Sequence, residues 1–328
     1  MKIPCFAASC ILIVSLSVGH CFGQPKPLSD FKRTDFLPTL EHNFNKDRNS
    51  LYCASFLYTI DKLKTKLSCP INVDSALEDL ALVIASTSHR NTLRDNEIKS
   101  EVKISYGMIS VKANFQKSLP FKEELLPGSG FQFNAQDVSS FEWLGEPEEA
   151  IQILYYKNDN NFTLKLHPRD PEHEIILSMT DTIPASLSGM VTAINKNIDS
   201  GRREQKQENH KWKYAMTEYD IVVIPELELN IKTNYKSIEG KSILCNHNHY
   251  DIGRAEQQIA FYLNKKGAEI ESSAISYVLF AEPVIDIENQ VIPKKMLFNK
   301  PFFVMLRRTN STFPYFCMWI ANTNHMVH

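Results

Sequence analysis

The sequence predicts an α+β fold, with helices early and strands thereafter, and three observations carry that prediction. Apolar residues recur at helical spacing in two segments between residues 49 and 84. From residue 102 onward the dominant pattern is strand-like alternation. The closing stretch, Leu297 to Asn322, holds two runs that are apolar on both faces, as strands central in a covered sheet must be. Helices and strands segregated in this way build α+β domains rather than alternating α/β ones.

Each element can be justified in turn. In the first helix Cys53, Phe56, Leu57, Ile60, Leu63 and Leu67 form one face, with Asn49 or Ser50 as cap and Pro70 closing the segment. In the second, Asp74 or Ser75 caps a stripe of Leu77, Leu80, Ala81 and Ile84, and Ser86 to Asn91 breaks the pattern. Val102, Ile104, Tyr106 and Met108 alternate, then Ile109, Val111, Ala113 and Phe115 continue in the opposite phase. This predicts one long strand bulged near Gly107 to Ile109. Ile151, Ile153 and Tyr155, a turn at Asn158-Asp159-Asn160, and Phe162, Leu164 and Leu166 predict two tightly joined strands. A helix is expected around Ala185 to Asn197. Ile221, Val223, Pro225, Leu227, Leu229 and Ile231 predict a half-buried strand whose proline places it at an edge or an end. Lys300 to Arg307 and Phe316 to Ala321 are expected to pair antiparallel in one buried sheet.

At the N-terminus, Lys2 precedes an apolar run, Cys10 to Val18, too short to span a bilayer, followed by Cys21-Phe22-Gly23. That pattern predicts a signal peptide over 1–23, a mature chain from Gln24, and a single domain over 24–328; an uncleaved anchor is the other reading. The expected location is extracellular. No later stretch is apolar for long enough to be a membrane helix. A formal net charge of -2 points to no nucleic-acid partner. Sequons at Asn161-Phe162-Thr163 and Asn310-Ser311-Thr312 become usable in the secretory route.

The mature chain keeps Cys53, Cys69, Cys245 and Cys317, too few for a disulfide scaffold. A helix from Asn49 would hold Cys53 roughly 20 Å from Cys69, beyond the ~7 Å limit for bridging. Few bridges or none are expected, with Cys317 a buried thiol. Other candidate chemistry is sparse. Cys245-Asn246-His247-Asn248-His249 with Asp251 has a His-x-His spacing that on a strand could hold zinc, but reads more simply as a polar loop. His167, Asp170, His173 and Glu174 form a polar cluster at a turn after Pro168. Arg202, Arg203, Lys206, Lys211 and Lys213 could bind a sulfated glycan, although Glu204 and Glu208 dilute the run into a solvated face. No Gly-x-Ser-x-Gly, phosphate loop or His-Glu-x-x-His occurs, so neither an enzyme nor a metal or cofactor site is expected.

Four segments, in order, carry a family resemblance. Leu154-Tyr155-Tyr156-Lys157 with Leu164 to Pro168, Val223-Ile224-Pro225-Glu226-Leu227-Glu228-Leu229, Gln257 to Glu269, and Leu297 to Asn322 resemble the corresponding strands of serpins. In the last of these, Phe298-Asn299-Lys300-Pro301-Phe302 matches the family's phenylalanine, polar step and Pro-Phe, while Asn322-Thr323 stands where serpins have Asn-Pro. The resemblance covers about residues 150 to 323 and fades before that, where Pro120-Phe121 is kept without the expected tryptophan. It implies a serpin-like fold, with N-terminal helices packed on large mixed or antiparallel β-sheets. The chain is shorter than the family by one or two helices and a strand, before about residue 100.

The resemblance further implies a reactive-loop hinge at Gly267, Ala268, Glu269, Ile270, Glu271 and Ser272, and a candidate reactive bond at Ala281-Glu282, suited to an elastase-like enzyme. Ile270 would overpack the slot an inserted loop enters, at ~1 to 3 kcal/mol, and Lys265 and Lys266 replace the usual acidic residues. The loop beyond is long and apolar at Tyr277 to Phe280. Two functions follow as expectations: a secreted protein that acts by binding an extracellular protein or small ligand, as carrier, ligand or decoy, or an inhibitor of a serine protease with its reactive loop within 268–297.

Overall fold

The computed structural model describes residues 24–145, 148–268 and 293–328. Strand β1 (Thr34–Leu37) lies parallel to β2 (Asn49–Cys53). All five residues of β2 are buried. This corrects the expectation of a helix starting at Asn49: a strand covered on both faces has no alternation to display, and Cys53 merely continues the spacing of the helix that follows. That helix, α1 (Ser55–Leu67), buries Phe56, Leu57, Ile60 and Leu63 and ends on Ser68, at φ 55°. Helix α2 (Glu78–Ala85) also starts later than expected, because Asp74 closes a turn of its own by accepting a hydrogen bond from the Ala76 amide at 2.9 Å.

Strands β3 (Lys99–Ser105) and β4 (Met108–Gln116) form a hairpin rather than one bulged strand. Tyr106 and Gly107 both have positive φ, 47° and 78°, as a two-residue type I′ turn requires. The change of phase in the sequence was this turn. Next come β5 (Ser140–Trp143), the expected hairpin of β6 (Ile151–Asn158) and β7 (Asn161–Leu166), and β8 (His173–Met179). Ser186 caps α3 (Leu187–Glu204) by accepting from the Gly189 amide at 3.1 Å, and this helix runs past the expected Asn197.

The alternating run 221–231 divides into β9 (Ile221–Pro225) and β10 (Leu227–Asn234), which belong to different sheets. Pro225 ends the first of them, where its missing donor costs least. The remaining strands are β11 (Ser242–Cys245), β12 (Asn248–Leu263), β13 (Lys295–Leu297), β14 (Phe302–Arg308) and β15 (Phe316–Ile320). As expected, β14 and β15 pair antiparallel in a buried sheet, with Val304 opposite Met318.

Three larger sheets result. A seven-stranded sheet has the order β6-β7-β8-β14-β15-β2-β1, a four-stranded one runs β13-β9-β5 and residues 126–127, and a six-stranded one runs residues 26–27, β10, β12, β4 and β3, with β11 hydrogen-bonded to β12. The seven- and six-stranded sheets meet at an aromatic layer: Phe316 of β15 lies 4.7 Å from Phe261 of β12 and 6.4 Å from Phe115 of β4, between ring centroids. Helix α1 packs against β3 and β4, and α3 against β6 and β7. The architecture is α+β, with few helices and several mixed sheets.

Candidate functional site

The hinge expected from sequence begins where β12 ends. Asn264 and Gly267 exchange backbone hydrogen bonds at 3.1 Å each, and the Asn264 side chain accepts from the Lys266 amide at 2.8 Å, so the chain reverses within four residues. Gly267 sits at φ +131°, and a Cβ there would lie 2.5 Å from the Leu119 carbonyl oxygen and 2.6 Å from the Phe121 nitrogen. Only glycine fits. Gly267 and Ala268 then pair antiparallel with Leu119–Pro120, just beyond β4, and both are buried. Lys266 and Lys265 carbonyls accept from the Phe121 and Leu125 amides at 2.7 and 2.9 Å. Glu269, Ile270, Glu271, Ser272, Ala281 and Glu282 lie outside the described residues.

Where the described residues resume, at 293, the chain is held by an equally firm anchor. Asp220, fully buried, accepts from the Lys294 amide at 2.7 Å and from the Lys294 ammonium at 2.8 Å, and also from the Thr217 amide at 2.8 Å. A buried pair of charges is retained only with such complete hydrogen bonding. β13 then lies parallel to β9, opposite Ile221 to Val223.

Before Asn264, β12 runs parallel to β4 over nine residue pairs, from Asp251 opposite Met108 to Ala260 opposite Gln116. Glu256 on β12 is opposite Lys112 on β4 and is sealed from solvent. Lys112 approaches it at 3.4 Å, Lys232 of β10 at 3.0 Å, and Arg254 donates to it from its own strand. Burial alone would raise this carboxyl, but the hydrogen bonds from Lys232 and Arg254 outweigh it and hold Glu256 below the usual carboxylate range. Three adjacent strands therefore converge on one buried anion. On the other face, Gln257 donates to Ser55 Oγ at 2.8 Å and to the Cys53 carbonyl at 3.2 Å, and accepts from the Tyr235 hydroxyl, fastening β12 to the start of α1.

A disulfide joins Cys69, just past α1, to Cys245 at the end of β11, with the Cα atoms 5.9 Å apart. Beside it Asn72 and Leu244 exchange backbone bonds at 2.9 Å. The link therefore runs from the helix lying on β3 and β4 to the strand paired with β12. Cys53 and Cys317 are buried free thiols; Cys317 is opposite Tyr52, so it points to the face away from Cys53. Burial pushes the Cys53 thiol up to about 12.

The structure disperses the other candidates. Asn246 and His247 occupy a hairpin turn at φ 46° and 66°, Cys245 is bonded, and both histidines of the His-x-His are exposed, so they do not share a strand face. Asp170, Glu172 and His173 do converge, with ligand atoms within 4.8 Å of one another. Glu172, however, is already matched by Arg94 at 2.5 Å and Arg308 at 3.2 Å, cations that oppose a metal ion. In the basic run, Arg202 pairs with Asp199, Lys211 with Glu208 and Lys213 with Glu204. Asn161 is buried at the start of β7 and donates to Asp181 at 2.9 Å, whereas Asn310 is exposed in the turn between β14 and β15.

Sequence reasoning missed Glu256, Lys112, Asp220 and Lys294. Alternation does put Glu256 on the polar face of its strand, but nothing in the sequence shows that cations from both neighbouring strands meet it there.

No protein-family model matches the chain, and no curated protein does. Among solved structures it is similar to Serpin48, a highly specific serpin of the insect Tenebrio molitor, at TM-score 0.37 and 12% identity over 66% of this chain and 56% of that one. It is similar to the mouse protein Z-dependent protease inhibitor, at TM-score 0.39 and 13% identity over 66% and 55%. It is also similar to the serine protease inhibitor serpin-12 of Manduca sexta, at TM-score 0.38 and 12% identity over 67% and 57%. This chain thus spans only 55% to 57% of the length of the serpins it matches.

Proposed function

We propose that this chain is a secreted protein of the serpin superfamily, with one domain from Gln24 onward, that acts by binding an extracellular protein or small ligand and does not trap proteases. Trapping in that family requires the central sheet to open and accept the cleaved loop as an added strand. From Asn264 the chain reverses and runs antiparallel to β12 beside the end of β4, so the slot available to such a strand is the one between β4 and β12.

The observation that carries the reading is the clasp across that slot. Opening it would break nine paired positions and withdraw Lys112 from the buried Glu256. The Cys69–Cys245 bridge further ties the two sides together. Ile270, from the sequence, adds bulk where an inserting strand needs a small side chain.

One feature favours the alternative, a serine-type endopeptidase inhibitor with its loop within 268–297. Gly267 and Ala268 already point in the direction an inserted strand would take. Incubation with elastase separates the two readings. Cleavage near Ala281 with no denaturant-resistant complex and a nearly unchanged thermal midpoint is expected. A covalent complex on a denaturing gel, or a rise of tens of degrees after cleavage, would establish the inhibitor instead, since an added strand converts exposed backbone groups into paired ones. Secretion is checked separately, by N-terminal sequencing that should begin at Gln24.

A further inference from the structure

A cavity of about 580 Å³ opens beside the segment that clamps the hinge and is lined by Lys122, Lys165, Arg169, His167, His173 and Glu149. It is of the size that takes a small organic ligand rather than a bare ion. Its cations are only partly matched. Lys122 pairs with Glu149, but both are mostly exposed, and such a pair is readily exchanged for a ligand. Lys165 lies 3.1 Å from Glu174, a carboxylate that Arg307 already engages at 2.8 Å. Arg169 donates through Nε to the Phe121 carbonyl at 3.0 Å, which orients the guanidinium. Its terminal nitrogens have no hydrogen bond among the described residues.

His173, 2% exposed, also lines the cavity. His167 is held below its ordinary pKa by burial and by Lys165 and Lys122, against the opposing pull of Glu174 and Glu149. Burial is the larger cause and the two ammonium groups add to it, so an anion bound beside His167 would favour its protonated form.

We propose that this cavity binds a small molecule bearing a tetrahedral oxyanion, a sulfate ester or a phosphate monoester, with Arg169 as the oriented fork and Lys122 and Lys165 as flanking charges. A guanidinium held at Nε presents its two terminal nitrogens to paired oxygens, and the ammonium groups supply charge without fixed direction. The site is independent of whether the protein traps proteases.

The test is calorimetric titration of the intact protein with inorganic sulfate, inorganic phosphate, a sugar 6-sulfate and a sugar 6-phosphate. Saturable binding at one site is expected, tighter for a sugar ester than for either free ion, and the preferred ester distinguishes the two sources. Arg169→Gln with Lys122→Gln should weaken it by roughly tenfold or more, since each removes a charge-assisted hydrogen bond. Arg202→Gln with Lys206→Gln, at the end of α3, should leave it unchanged. Binding of sulfate, which does not titrate in this range, should tighten between pH 7.5 and pH 5.5 in the parent and not in His167→Gln. Absence of saturable binding, or equal losses in both double variants, overturns the proposal.

Discussion

Gly267 has no conformational alternative: at φ +131° and with backbone atoms 2.5 to 2.7 Å from where a Cβ would stand, any side chain must displace the Leu119–Phe121 segment. Gly267→Ala is therefore expected to cost about 1–3 kcal/mol, the range for a residue forced into such a backbone region. Urea unfolding measures it, and a loss under about 0.5 kcal/mol would show the clamp to be loose. Asn49 is a second such residue. Its side chain accepts from the Ala321 and Asn322 amides at 2.8 and 3.1 Å and donates to Asn322 Oδ1 at 2.9 Å, all out of water. Its place in the sequence suggested a helix cap; its actual work is to join the start of the chain to the end. Nothing local distinguishes those two roles for an asparagine, which is why this contact was illegible. A third case is His325, buried with Thr34 Oγ1, at 2.8 Å, as the one hydrogen-bond partner of its ring among the described residues, and pushed down to about 4 by burial. Since its folded value lies below the ordinary 6.5, the unfolded chain binds the extra proton and stability falls as pH drops from about 6.5 to 4, by up to about 1.4 kcal/mol per pH unit. His325→Gln, which keeps a partner for Thr34 but cannot titrate, should flatten that part of the stability profile in urea titrations at successive pH values. An unchanged slope would place the acid sensitivity elsewhere, His173, also lowered to about 4, being the next candidate.

At the scale of elements, what could be read in advance was whatever depends on local pattern. The β6–β7 hairpin, the burial of β14 and β15 on both faces and the stripe on α1 follow from period and turn residues alone, while the pairing of β14 with β15 was expected from the resemblance of that segment to paired family strands. What could not be read was whatever depends on a neighbour. Tyr106 in a type I′ turn is an unusual occupant, so the β3–β4 turn lacked the usual Asn-Gly signal and passed for a bulge. The run through Pro225 passed for one strand because β9 buries residues of both parities, Val222, Val223 and Ile224 among them, so its odd positions run on into the alternation of β10 although the two strands lie in different sheets. Element context also decides between the two sequons. Asn161 spends its amide on Asp181 inside a sheet, while Asn310 stands in a two-strand turn with its side chain in solvent. Sugar is therefore expected at Asn310: Asn310→Gln should remove the glycosidase-sensitive mass, and Asn161→Gln should leave it. The reverse result would mean that modification precedes the folding of β7.

At the scale of the whole molecule, the question is what holds β4 and β12 together. The aromatic layer against the seven-stranded sheet supplies apolar burial to both strands, yet it would act on each one separately if they parted. The features that oppose parting specifically are the nine paired positions, the Glu256 clasp and the disulfide, and the disulfide can be removed without touching the core. Cys69 and Cys245 are 176 residues apart, so closing that loop restricts the unfolded chain by about 5 kcal/mol in the chain-entropy account. Measured effects fall short of that figure in general, and about 2–4 kcal/mol is the expected loss in Cys69→Ser with Cys245→Ser. A purely entropic effect on the unfolded state would leave native-state fluctuations as they were. A brace across the slot would not: hydrogen exchange at residues 108–116 and 251–260 should then accelerate in the double variant well before global unfolding, while β14 and β15 stay protected. Uniform acceleration across all strands would show that the bridge acts only on the unfolded chain, and that the slot is kept closed by the nine paired positions and by Glu256 with its cations.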